Sequence, residues 1–251
     1  MSTLSLAGKR VLITGGGSGV GANMALAFAQ AGAEVIIAGR RMEALEQVAA
    51  QHSAIRGIAA DVTHEASVQA LFAQAGAIDI VIANAGAAES APFTKTSLAT
   101  WQMLLAVNLT GVFLTLREGL RQMQARSWGR LIVVASTAGL KGYAYVAPYT
   151  AAKHGAIGLV RALALEVATQ GITVNALCPG FLETEMTERS LMNIMQKTGR
   201  SRDAALAALT STNPQQRLIQ PAEVSHAALW LCAAGSEGIN GQALAIAGGE
   251  L

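Results

Sequence analysis

Seven short runs rich in β-branched residues punctuate the chain, with alanine-rich stretches of helical length set between them: RVLIT (10–14), EVIIA (34–38), IRGIAA (55–60), DIVIAN (79–84), RLIVVAS (130–136), ITVNALC (172–178) and ALAIAG (243–248). Within each run the apolar residues are nearly continuous instead of alternating. Strands covered by helices on both faces read this way, because neither face of the pleat meets water. Alternating strands and helices of this kind restrict the chain to an α/β fold with a doubly wound parallel sheet of seven strands and helices on both faces. At 251 residues and 52% hydrophobic composition, the chain is long enough to bury one such core as a single domain. No proline- or serine-rich linker divides it. The stretch from Glu183 to Gln220 is more polar than its surroundings and reads as an insertion over the sheet edge.

Composition excludes several classes of function. A net charge of +2, with no run of five lysines or arginines, is too mild for a nucleic-acid footprint. Met1 to Arg10 lacks an unbroken apolar core of the signal-peptide kind, and no segment offers eighteen uninterrupted apolar residues, so a cytoplasmic protein without a membrane partner is expected. Cys178 and Cys232 form no CxxC pattern, and the four histidines show no ligand spacing, so neither a disulfide nor a metal site is expected.

In an open parallel sheet, ligands bind beyond the carboxyl ends of the strands. After the first run comes TGGGSGVG, Thr14 to Gly21, opening directly into a helical stretch. Gly15, Gly19 and Gly21, with Ser18 among them, allow a tight turn, close approach of backbone to a pyrophosphate and a helix N-terminus facing the anion. A merely glycine-rich turn is the bland alternative, and the strand before it and helix after it speak against that. A second motif lies in PYTAAKHGAIGLV, 148–160, where Tyr149 and Lys153 stand four residues apart and share one helix face. A phenol with a reference pKa of about 10 becomes a useful acid/base when a fixed cation stands near it, which makes the pair a candidate proton donor and its electrostatic tuner.

These stretches, together with NAG (84–86), Asn108 in VNLTG, Ser136 in VVAST and PG (179–180), stand in an order that resembles the short-chain dehydrogenase/reductase family, with its Rossmann-type fold, from Gly8 to Gly249. The glycine spacing is TGxxxGxG, as in that family, instead of the commoner GxGxxG. The resemblance implies a catalytic set of Asn108, Ser136, Tyr149 and Lys153. Ser136 would hydrogen-bond the substrate oxygen, Lys153 would also hold the nicotinamide ribose, and Asn108 would hold a water completing a proton relay. It further implies cofactor contacts from Gly15, Ser18, Gly19, Gly21, Asn84, Gly86, Pro179, Gly180 and Thr184, with Asp61 and Val62 beside the adenine. For Asn108 the bland reading is a satisfied core amide, and for Asp61 a helix cap. The apolar helix expected over Pro148–Ala168 reads as buried all round, and the resemblance implies a homotetramer packed through it.

Cofactor choice is read from AGRR, Ala38 to Arg41. Relatives that prefer NAD carry an aspartate where this chain has Gly39, and Arg40 and Arg41 would pair with a 2′-phosphate, so NADP(H) is expected with NAD(H) as the alternative. The implied reaction interconverts a ketone and a secondary alcohol. Segments such as APYTAAKHG resemble polyketide and 3-oxoacyl ketoreductases, whereas 190–224 resembles the substrate lid of 3-hydroxybutyrate dehydrogenases. A non-catalytic nucleotide-binding sensor is the third reading. Relatives that act on free 3-hydroxybutyrate grip its carboxylate from four places that here hold Ala88, Ala138, Val146 and Ser190, so the expected substrate is a 3-oxoacyl thioester or a bulky neutral ketone. Arg189, Lys197, Arg200 and Arg202 could meet the phosphates of a CoA or carrier-protein arm, or could simply be solvated.

Overall fold

The computed structural model describes residues 5–251; the first four residues, part of the stretch read for a leader, lie outside it. All seven expected strands form: β1 (Arg10–Thr14), β2 (Glu34–Gly39), β3 (Ile55–Ala59), β4 (Ile80–Ala83), β5 (Gly129–Val134), β6 (Ile172–Pro179) and β7 (Ala243–Ile246). They pair in parallel in the order β3-β2-β1-β4-β5-β6-β7. Chain direction across the sheet therefore reverses between β1 and β4, the switch point where parallel α/β sheets open a crevice.

Successive strand residues feed two separate cores, as the period of two requires. Leu12, Ile36, Val81 and Leu131 face one core, closed by α3 (Glu65–Ala75), α5 (Gly111–Gln124) and α6 (Ala147–Glu166). Their neighbours Val11, Ile37, Ile80 and Ile132 face the other, closed by α1 (Gly19–Gln30), α2 (Met42–Ala49) and α9 (Pro221–Cys232). Helix starts follow local chemistry. Ser97 accepts a hydrogen bond from Thr100 N at the head of α4 (Leu98–Leu105), and Gln220 with Glu223 forms a capping box ahead of α9. Leu98–Gln124 is one continuous helical run, α4, a π-helical turn over Ala106–Thr110, and α5, long and apolar enough to span a bilayer by length and composition. It nevertheless packs on β4, β5 and α6 and buries Asn108, Thr115 and Glu118.

Two expectations about burial need correction. β7 is only partly covered, being an edge strand. On α6, Lys153, Ala156, Ile157, Val160 and Ala164 are buried, but Ala151, His154, Gly158, Ala162 and Leu165 form an exposed stripe. Alanine and glycine carry so little side chain that their run disguised the two-faced character of this helix.

Between β6 and α9 the polar stretch makes α7 (Glu185–Thr198) and α8 (Arg202–Thr210), anchored by a bridge between Leu182 and Ile219. It lies over the carboxyl ends of the strands, where Asn193 Nδ2 donates to Ser90 Oγ at 3.0 Å. The opposite rim carries ion pairs instead: Arg10 with Glu34, Arg126 with Asp79, and the buried Arg130 with Glu237.

Candidate active site

A cleft of about 780 Å³ opens at the carboxyl rim, lined by the glycine-rich turn, the segments after β4, β5 and β6, and α7. Its floor is built by backbone that admits no side chain. Gly15 has φ +68°, and a Cβ there would stand 2.8 Å from Ala85 Cα; a Cβ at Gly21 would meet Gly15 O and stand 2.6 Å from Asn84 Nδ2. Asn84 holds this turn to β4 by donating to Thr14 O (2.9 Å) and Gly15 O (3.2 Å), while Thr14 Oγ1 accepts from Asn84 N and Ala85 N. Ser18 begins α1 without a side-chain cap, leaving the first N–H groups directed toward the cleft. Over Gly19 the nearest neighbour of a Cβ would be Thr184 Cγ2, at 3.4 Å. A glycine cradle ending in an uncapped helix N-terminus fits the diphosphate of a nicotinamide dinucleotide.

Of the residues singled out in the sequence, Gly15, Ser18, Gly19, Gly21, Asn84, Gly86, Ser136, Tyr149, Lys153, Pro179, Gly180 and Thr184 all line this cleft. Arg40, Arg41, Asp61, Val62 and Asn108 do not. Arg40 and Arg41 are exposed beyond the end of β2, and among the described residues neither guanidinium makes a hydrogen bond or ion pair. The Asp61 carboxylate accepts from Thr63 N (2.9 Å) and Thr63 Oγ1 (2.7 Å), the turn-capping role, and the Val62 side chain packs where a Cβ on Gly111 would come within 2.8 Å. Asn108 is fully buried behind the cleft. Its Nδ2 donates to Ala87 O (2.8 Å) and Leu104 O (3.0 Å), and its Oδ1 lies 3.0 Å from where a Gly86 Cβ would stand. The side chain is thus a satisfied amide that fastens the segment after β4. It sits within the π-helical turn, a helical irregularity often found at functional sites.

Tyr149 and Lys153 share one face at the start of α6, as their spacing predicts, Lys153 buried and Tyr149 half-buried. Their electrostatics differ from the sequence reading. Lys153 Nζ donates to Val134 O at 2.9 Å and stands 5.5 Å from the centroid of the Tyr149 ring, over its face. Burial pushes the Lys153 ammonium down to about 8. Burial likewise raises the Tyr149 phenol, and a side-chain hydrogen bond with Ser136 offsets only part of that rise. Burial thus outweighs the Ser136 bond and holds the phenol in its protonated form, while the Lys153 ammonium is engaged by the Val134 carbonyl and the ring face. Ser136 Oγ also accepts from Ala138 N at 3.1 Å, which fixes its rotamer at the end of β5.

The competing groups have other partners. Thr137 Oγ1 lies 2.7 Å from the hydroxyl of Tyr143, which donates to Glu250 Oε1 at 2.5 Å; burial and that carboxylate raise the Tyr143 phenol. Tyr145 is exposed. Cys178 is fully buried and its thiol is pushed up to about 11 by that burial, the behaviour of a packing residue. Sequence reading missed the Glu250 carboxylate and the aromatic neighbour Phe181, since no local motif marks either.

Comparison with known proteins decides the family. The short chain dehydrogenase family model matches residues 9–194. The chain belongs to the short-chain dehydrogenases. It is an oxidoreductase acting on the alcohol–ketone pair, in a family that binds NAD(P). Among its relatives, the 3-oxoacyl-(acyl-carrier-protein) reductase FabG of Aquifex aeolicus is 33% identical, the match covering 98% of either chain. The D-beta-hydroxybutyrate dehydrogenase of Cupriavidus necator is 34% identical over 94% of this chain and 95% of the relative. A crystal structure of an actinorhodin polyketide ketoreductase variant with NADPH superposes with a TM-score of 0.91 at 32% identity, covering 96% of this dehydrogenase and 97% of that chain.

Proposed function

We propose that this short-chain dehydrogenase reduces a neutral, bulky ketone or a 3-oxoacyl thioester to its secondary alcohol with NADPH. The observation that carries the reading is the convergence of Ser136, Tyr149 and Lys153 on the same cleft as the glycine cradle. Gly15, Ser18, Gly19, Gly21, Asn84, Gly86, Pro179, Gly180 and Thr184 hold the dinucleotide, Lys153 its nicotinamide ribose, and Asp61 and Val62 the adenine end. When bound, the nicotinamide supplies the hydride. Ser136 hydrogen-bonds the ketone oxygen and stabilises its developing charge, and Tyr149 Oη delivers the proton to that oxygen. Asn108 keeps the segment after β4 beside Lys153, and Lys153 passes the replacement proton to Tyr149. The 183–220 segment serves as lid of a single-domain enzyme. A homotetramer assembled through the exposed stripe of α6 belongs to the same reading. Incubation with NADPH and a panel of ketones tests it: oxidation of NADPH with none of them would overturn it in favour of a binding-only role.

Substrate choice is supported by Ala88, Ala138, Val146 and Ser190, which all line the cleft and offer no charged partner. Besides Lys153, which is engaged by Val134 O, the cations that line it, Arg189 and Lys197, stand at its exposed rim. Preference for NADPH rests on Arg40 and Arg41. A charge-assisted contact is worth about 1.5–3 kcal/mol, so Arg40→Ala is expected to weaken NADPH binding about ten- to a hundredfold and to leave NADH nearly unchanged. Fluorescence titration with both nucleotides checks this, and a wild-type preference for NADH would remove the arginine from the reading.

The pH dependence follows from the two shifts. Tyr149, raised, stays protonated across the neutral range, and Lys153 carries its proton only below about 8. Both proton carriers are loaded in acid and Lys153 unloads as pH rises through that value. Ketone reduction is therefore expected to be level below pH about 8 and to fall above it, while alcohol oxidation rises. Initial rates in both directions between pH 6 and 10, roughly two units either side of that value, provide the check.

A further inference from the structure

The Glu250 side chain is 2% exposed, yet it is an ionised group at the junction of four segments. It accepts from Lys141 Nζ at 2.9 Å and from the Tyr143 hydroxyl at 2.5 Å, both in the segment after β5. The Thr212 side chain, on the far leg of the 183–220 segment, supplies a third hydrogen bond. A Cβ added to Gly180, after β6, would lie 3.4 Å from Glu250 Oε2. Burial alone would raise this carboxyl, but the bonds from Tyr143, Lys141 and Thr212 outweigh it and hold the group below its usual range. A buried carboxylate so fully partnered fixes its partners in turn, since releasing any one leaves desolvated charge uncompensated.

The partner that matters is Tyr143. It lines the cleft, as does Phe181, and the two rings meet edge to face with centroids 6.3 Å apart and planes at 82°. They form an aromatic wall in the cleft that Ser136 and Tyr149 also line. Aromatic walls of this geometry favour flat or ring-bearing apolar groups over small flexible ones. We propose that Glu250 is a positioning residue for the substrate: by holding the Tyr143 hydroxyl it sets the Tyr143–Phe181 wall, which selects ketones carrying a ring or other flat apolar group beside the carbonyl. The assignment rests on the ketone being bound at Ser136 and Tyr149.

Two readouts test it. In kinetics, Glu250→Ala and Tyr143→Phe remove the same bond from its two ends, and each is expected to raise KM for a cyclic or aryl ketone about tenfold with kcat little changed. A small acyclic ketone should be nearly indifferent, Glu250→Gln should restore most of the loss, and the double variant should be no worse than either single one. The second readout needs no turnover. With only three tyrosines in the chain, a protein labelled with 13C at tyrosine Cζ gives few resonances, and Tyr143→Phe assigns the one of interest. That resonance should move in Glu250→Ala. Equal losses for ring-bearing and acyclic ketones, or an unmoved resonance, would overturn the proposal while ketone reduction itself stands. If Glu250→Ala does not fold, Tyr143→Phe alone carries the kinetic comparison. Failure of the wild-type enzyme to reduce any ketone would bring down the functional reading and this selection with it.

Discussion

Replacing Tyr149 with Phe is expected to lower turnover by more than about a hundredfold and to leave NADPH affinity almost unchanged. The ring would keep its place, because Lys153 Nζ faces its centroid at 5.5 Å and the helix α6 that carries both is unchanged. What disappears is the hydroxyl hydrogen-bonded to Ser136; of the other two phenols lining the cleft, Tyr143 is tied to a carboxylate and Tyr145 is exposed. Tyr143 cannot substitute, since its hydroxyl is tied to Glu250. Steady-state kcat alongside a nucleotide titration separates the two effects. Near-normal turnover would remove Tyr149 from the mechanism.

Acetoacetate is expected to be a poor substrate, with kcat/KM about a hundredfold or more below that of its neutral ethyl ester. A buried carboxylate without a partner costs several kcal/mol, and each 1.4 kcal/mol is about tenfold. Ala88, Ala138, Val146 and Ser190 line the cleft without a cation or amide among them, so the ester loses nothing that the acid would have gained. The comparison keeps the reacting ketone constant and changes only the charge. Should acetoacetate match or exceed the ester, the rim cations Arg189 or Lys197 must reach inward, and the likeness to hydroxybutyrate dehydrogenases becomes the better guide to substrate.

The strands were legible because β-branched residues crowd short runs bounded by turn formers, and every one of the seven formed within a residue or two of its run. The cradle was legible because glycine is required where backbone must pass backbone, as at Gly21 against Gly15 and Asn84. The Tyr149–Lys153 pair was legible as a shared helix face, but the lysine's engagement with Val134 was not, since a carbonyl nineteen residues away has no signature in sequence. Glu250 was invisible for the same reason: it meets Tyr143 across 107 residues, and a single glutamate carries no periodicity or motif. The two-sided character of α6 was misread because alanine populates buried and exposed positions alike.

The separation between the two rims of the sheet has a practical meaning for anyone redesigning this enzyme. The pairs Arg10–Glu34, Arg126–Asp79 and Arg130–Glu237 all stand at the strand beginnings, a full strand length from the cleft residues at the strand ends. Substitutions that far apart, with no shared neighbours, combine almost additively. Heat tolerance and substrate range can accordingly be bred in parallel libraries and merged afterwards: one library confined to the rim that anchors the strands, the other to the loops that leave them.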